Sequence, residues 1–400
     1  MNLRKIVVML LFIVGAGVAC AEDGLTVKDV AIPKDGKAML AIETAFESDA
    51  YFGYQLEVVL PKGVSISLDK NGRPSAESYT ELDIVGSIIS STSESTTYQF
   101  VASKMGNPHI PAGSYVLVVV PVETDGTLSV GDALDGSIRN ILFSDGTQKG
   151  MGMADVKFAV DVTDKLVLDE NSPVVPLATD DVTDLLVKRT IKANVWSTLC
   201  LPFEMDEEQT ATAFGDDVQL AEFDYYELND DGSISVYFED ADIADGIYHN
   251  WPYIIKTSSD ISEFEVTAKV EPDEESAVDE YETGRGKNKK TVGTFSGTLH
   301  AGTVIPEKNL FLNNNKFYYS VGKSKSKAFR AYFWFEDVLA DLDSASSRMS
   351  MNFNEKDVSG IGRLTQDGNA AETIYDLQGR RVAKAVKGIY MLNGKKIVVK

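Results

Sequence analysis

From Leu25 to about Thr163, apolar and polar residues alternate in short runs. LTVKDVAI places Leu25 and Val27 toward one face, with Val30 a further candidate for burial, and AMLAIETAF repeats the alternation. A period of two is the signature of a half-buried strand. GYQLEVVLPKGVSISL reads as strand, Pro61–Gly63 turn and strand. YQFVASK, SYVLVVVPV and VKFAVDV follow at similar spacing. Strands of this length, cut by Gly, Pro, Asp and Ser turns, predict a β-sandwich. A second run of strands spans about 189–340. Its clearest element is a hairpin, with FGDDVQLAEFDYYEL and SISVYFED flanking the Asn229–Gly232 turn. WPYIIKT, FEVTAKV, TVGTFSGTL, KFYYSVG and AFRAYFWF complete it. Near the end, ETIYDL turns at Gln378-Gly379 into RRVA, and GIYML turns at Asn393-Gly394 into KKIVVK.

The expected class is all-β: a jelly-roll sandwich, a second β-rich domain and a short C-terminal β-hairpin tail. The boundaries read as 1–21 signal peptide, 22–163 sandwich, 164–188 linker, 189–340 second domain, 341–371 linker and 372–400 tail. The first linker rests on Pro173, Pro176 and clustered Asp, the second on a Ser/Asn/Gly-rich composition.

Charge divides the chain. Its formal net charge is −23, yet Ala371–Lys400 carries seven Lys/Arg against two Asp/Glu. Such acidity opposes binding to nucleic acid or an anionic membrane surface, because both need a basic face. At the other end, Arg4 and Lys5 precede the apolar run Ile6–Val14, and Ala19-Cys20-Ala21 fits an A-x-A cleavage site. The run is too short to remain as a membrane span, and no other stretch is apolar for 18 residues. An exported protein, at the cell surface or extracellular, is expected. The alternatives are a periplasmic protein and a lipoprotein anchored through Cys20. After cleavage Cys200 is the one cysteine left, so no internal disulfide is expected. Its apolar neighbours make it a buried hydrophobe.

Three sets of residues carry resemblances. Tyr54-Gln55-Leu56-Glu57-Val58-Val59-Leu60-Pro61-Lys62-Gly63-Val64, followed by Gly136-Ser137-Ile138-Arg139-Asn140-Ile141-Leu142-Phe143-Ser144-Asp145, is similar to stretches of cohesin-like sandwich domains. The resemblance covers roughly residues 25–163 and implies a jelly-roll with a binding or structural role. Trp196–Phe203, Asn309–Leu312 and Lys327–Phe333 resemble a module common in secreted proteins of the Bacteroidetes group. The tail, with Tyr375, Gly379, Gly388, Tyr390, Gly394 and Lys396, resembles the C-terminal sorting domain of type IX secretion, although it is shorter than a full one. That resemblance implies the secretion machinery as a partner.

Candidate chemistry is sparse. His109, His249 and His300 lack ligand spacing, so no metal site is expected. GRGKNKKT lacks the P-loop spacing, no G-x-S-x-G elbow occurs, and no cofactor motif is present. Acids cluster in turns. Aromatics are the remaining binding signal, and Tyr248, Trp251 and Tyr253 form the candidate surface, since planar rings offer large apolar area at low entropy cost. The sequence therefore points to a non-catalytic binding or adhesion protein with a glycan or protein ligand. The alternatives are a secreted glycoside hydrolase or accessory carbohydrate-active protein, which needs two opposed carboxylates, and a structural spacer.

Overall fold

The computed structural model describes residues 23–106, 108–147, 150–230, 233–283, 289–336 and 349–354. It also describes the backbone strands Ile374–Asp376, Arg381–Val382, Gly388–Leu392 and Lys395–Val399. Ala19, Cys20, Ala21, Gly379 and Gly394 lie outside the described residues. The chain divides into two compact units, Met1–Asp164 and Lys165–Lys400.

The first unit is a two-sheet sandwich. One sheet runs Gly24–Val27, Lys37–Phe46, Gly113–Thr124, Val64–Ile66, with Glu77–Ser78 also on Gly113–Thr124. The other runs Val30–Pro33, Val156–Thr163, Ala133–Ser144, Gly53–Pro61, Ser95–Ser103, Asp83–Ser91, with Met151–Gly152 on Ala133–Ser144. The chain passes repeatedly from one sheet to the other, as a jelly-roll does. Pairing is antiparallel except for Val30–Pro33 beside Val156–Thr163. The alternation predicted for Lys37–Phe46 is realised, with every second residue from Ala38 to Phe46 buried. Leu40, Ile42, Val118 and Val120 of one sheet share a core with Leu56, Val58, Phe100 and Ile138 of the other. Each such fully buried side chain contributes roughly 1.5–3 kcal/mol.

The second unit is layered differently. Its central sheet runs Ser197–Leu199, Tyr253–Lys256, Gln219–Leu228, Ile234–Asp240, Met349–Asn354. Both faces are covered. Leu220, Tyr253 and Ile255 join a core with Leu185, Val187, Phe264 and Val266 of the three-stranded sheet Leu166–Asp169, Thr183–Lys188, Phe264–Ala268. Ala221, Phe223 and Ile254 face the opposite way, toward Phe295, Leu310 and Phe333. These belong to the sheet Val278–Thr283, Lys290–Thr298, Arg330–Phe335, Leu310–Asn313, Lys316–Tyr319.

Three expectations need correction. Residues 164–188 are not a free connector, because Leu166–Asp169 and Thr183–Lys188 are paired strands of the second unit. The apolar residues of LVLD and LLVK outweigh the prolines between them. In 341–371, Met349–Asn354 pairs in parallel with Ile234–Asp240 and extends the central sheet. The strand pattern also passed over a helix, Glu207–Phe214, set by a capping box between Asp206 and Gln209.

The tail strands form a sheet in the order Arg381–Val382, Ile374–Asp376, Gly388–Leu392, Lys395–Val399. Leu392 pairs with Lys395. Among the described residues no helix is long and apolar enough to cross a membrane.

Candidate functional site

The central sheet's Ile234–Asp240 strand ends in a single 3-10 turn, Ile243–Asp245. Asp242 starts it, its carboxylate accepting the Ala244 N–H at 3.0 Å. Gly246 follows at φ 74°, and a Cβ there would lie 2.2 Å from the Met205 carbonyl oxygen. Only glycine allows this approach. The contact lets Ile247 and Met205 exchange both backbone hydrogen bonds, at 2.8 and 2.9 Å.

Asn250 anchors the next bend. It is buried, with φ 57°. Its N–H donates to the Leu201 carbonyl at 2.6 Å, and its Nδ2 donates to the Glu271 carbonyl at 2.7 Å. Its Oδ1 accepts the Asp273 N–H at 3.1 Å. With the backbone N–H and both side-chain polar atoms of Asn250 engaged, the bend of the Tyr248–Trp251 loop is held in place.

That loop lines a groove of about 400 Å³ with Glu222, Asp242, Asp245, Tyr248, His249 and Trp251. Tyr248 is 52% exposed, while Trp251 is half-buried with one side against the core. His249 is exposed, and its Nδ1 lies 3.0 Å from Glu204 Oε1. Tyr253 does not belong to this surface. It is fully buried between strands, and its hydroxyl accepts the Tyr248 N–H at 3.3 Å, so it supports the loop from below. Burial pushes its hydroxyl pKa well above the usual tyrosine range. The tail residues Tyr375, Gly388, Tyr390 and Lys396 lie on paired strands of their own sheet.

Pattern reading missed the acidic wall of the groove. Glu222 lies directly across from Glu239 on the neighbouring strand, a like-charge pair. Asp279, on Val278–Thr283, is raised to about 7, by burial first and then by Glu222, with Asp224 and Glu280 adding to it. The Glu280 N–H partly offsets the rise. Because the folded value exceeds the unfolded one, this group's contribution is fully present below about pH 4 and lost as pH rises through 7. The melting temperature of the second unit is therefore expected to fall between about pH 4 and 7 and to level off above that. Asp279→Asn should flatten that decline and raise the melting temperature at pH 8. A lower melting temperature for Asp279→Asn at pH 8 would refute the assignment.

The structure does not bring the histidines together. His109 contacts the Asp49 carbonyl and packs on Phe52, while His300 Nδ1 lies 2.7 Å from Glu274 Oε1. Among the described residues no group of three His, Cys, Asp or Glu is arranged to hold a metal ion. The other aromatics are largely occupied by one another. Tyr225 stacks on Tyr237 at 4.3 Å, Tyr226 on Phe335 at 4.5 Å, and Tyr318 on Phe311 at 5.7 Å.

No family model and no curated protein matches the chain. Similar solved structures include cohesin modules. The third cohesin of ScaC from Acetivibrio cellulolyticus, solved with the ScaB dockerin, is 10% identical. It covers 35% of this chain and 99% of that one, with a TM-score of 0.28. A non-cellulosomal cohesin from Archaeoglobus fulgidus is 10% identical over 34% and 90% of the two chains, with a TM-score of 0.23. A type III cohesin of the cell-surface anchoring scaffoldin ScaE from Ruminococcus flavefaciens is 12% identical over 37% and 94%, with a TM-score of 0.26.

Proposed function

We propose that the protein is an exported, non-catalytic binding protein of the cell surface, and that its second unit takes an extracellular neutral glycan in the Asp242–Trp251 groove. One observation carries this reading: an exposed tyrosine and a half-buried tryptophan stand beside three carboxylates in a groove of about 400 Å³. Sugar rings have apolar faces that stack on aromatic rings and edges of hydroxyls that donate to carboxylates. The acidic wall repels uronates and sulfated sugars. The secretory-type N-terminus and the sorting-type tail support export.

Flow cytometry on intact cells with fluorescent neutral oligosaccharides tests both halves of the proposal. Cells carrying the full chain should bind, and cells carrying Tyr248→Ala should bind about tenfold more weakly. Binding only after lysis would remove the surface location. Equal binding by Tyr248→Ala would remove the groove.

A further inference from the structure

His249 also borders a second cleft, of about 380 Å³, beside the first. Its lining includes Thr179, Asn250, Lys269, Glu271, Asp273 and Ser276. Its chemistry differs. Lys269 Nζ lies 2.8 Å from Glu271 Oε1, and Asp273 Oδ1 accepts the Glu275 and Ser276 N–H groups at 3.1 and 3.3 Å. The first cleft offers a tyrosine and a tryptophan ring, whereas the second has neither and is lined mostly by hydrogen-bonding groups. Asn250 fixes the two relative to each other, because it belongs to the Tyr248–Trp251 loop, its N–H is held by the Leu201 carbonyl, and its side chain bonds the Glu271–Asp273 segment.

Resting on the glycan reading above, we infer that the two clefts are neighbouring subsites of one site, and that the ligand is a chain of neutral sugar units rather than a single sugar. The first two units fill the cleft at Tyr248 and Trp251, one of them stacked on the rings. The units beyond pass His249 and exchange hydrogen bonds with Lys269, Asp273 and Ser276. The rigid Asn250 connection presents both subsites already formed, so a longer ligand gains contacts without further ordering of the protein. Carboxylates on both sides, Asp242 and Asp245 in one and Glu271 and Asp273 in the other, select against polyanionic chains.

The test is calorimetry on the full processed chain. The probes are di- and tetrasaccharides of glucose, mannose, xylose and N-acetylglucosamine, with a Lys/Arg decapeptide as competitor. For the backbone that binds, the tetrasaccharide should bind about tenfold tighter than the disaccharide. Lys269→Ala and Ser276→Ala should each remove much of that gain and leave the disaccharide Kd unchanged, whereas Tyr248→Ala should weaken both. Both substituted residues are exposed, so the melting temperature should hold and exclude misfolding. Equal affinity for the two lengths, or equal losses for both in the Lys269 and Ser276 variants, would overturn the two-subsite inference and leave the glycan reading intact. Binding of neither, or of the decapeptide alone, would overturn both.

Discussion

Replacing Arg189 with Met is expected to cost the second unit about 3–5 kcal/mol, the range for breaking a buried ion pair. The guanidinium is fully buried. Its Nε donates to the Phe329 carbonyl at 3.2 Å, its Nη2 to the Thr198 carbonyl at 2.6 Å, and its Nη1 to the Thr190 carbonyl. Nη1 also lies 3.4 Å from Glu170 Oε2. Burial and the nearby Arg330 lower its pKa to about 9, offset in part by Glu170, so it stays charged at neutral pH. Glu170 is itself buried. Burial pushes its carboxyl up, but the hydrogen bond from Lys327 and the charges of Arg330 and Arg189 hold it below the usual range.

Methionine would fill the space but take the guanidinium donors away from three carbonyls, of which that of Phe329 keeps a 3.4 Å hydrogen bond from the Cys200 N–H. One of them belongs to Phe329, a bulky residue at φ 60°, a conformation that costs energy unless its surroundings fix it. All three tryptophans, Trp196, Trp251 and Trp334, lie in the second unit, so tryptophan fluorescence during denaturation reports that unit alone. A loss under about 1 kcal/mol would show that the network is dispensable.

Gly297→Ala should cost about 1–3 kcal/mol through overpacking. A Cβ at Gly297 would lie 2.3 Å from Cys200 Sγ, 3.0 Å from its Cβ and 3.2 Å from Ala277 Cβ. Gly297 N–H also donates to the Ala277 carbonyl at 2.6 Å, so the strand has little room to withdraw. The thiol is inert packing, with its pKa pushed up to about 12, by burial first and then by Glu274. Cys200→Ala removes the closest clashing atom, and the double variant should recover part of the loss. A double-mutant cycle measures this coupling. Strict additivity would mean that the clash is relieved elsewhere.

These contacts mark where sequence reading stops. A period of two exposes one sheet face, so Lys37–Phe46 and the Gln219–Asp240 hairpin were legible. Cys200 reads correctly as a buried hydrophobe from WSTLCLPF, but its Gly297 partner lies 97 positions on, beyond any local pattern. Tyr253 misled for a related reason. In Tyr253–Lys256 the first three residues are all buried, because the central sheet is covered on both faces, and alternation carries no signal there. The parallel partner Met349–Asn354 sits in a polar stretch, and the sheet edge it completes and the contacts of Met349, Met351 and Phe353 lie far from it in sequence.

The candidate site was half legible. Tyr248 and Trp251 stand out as aromatics beside Pro252, and the left-handed Asn250 turns the chain between the exposed Tyr248 and the half-buried Trp251. Glu222, Asp242 and Asp245 come from a distant strand and a short turn, and no spacing rule joins them to the aromatics. The helix at Glu207–Phe214 was readable in principle, since Asp206 and Gln209 spell its capping box.

A glycan held in the Asp242–Trp251 groove would touch Trp251 and neither of the other tryptophans. The most direct measurement follows the three tryptophan indole N–H signals of the ¹⁵N-labelled protein during titration with neutral oligosaccharides. Trp196 is stacked on Phe353 at 4.6 Å with Lys256 above it, and Trp334 lies on an outer-sheet strand, so neither lines the groove. The account predicts that the Trp251 signal shifts in a saturable way while the signals of Trp196 and Trp334 stay in place. Saturable binding that leaves Trp251 unmoved would contradict it.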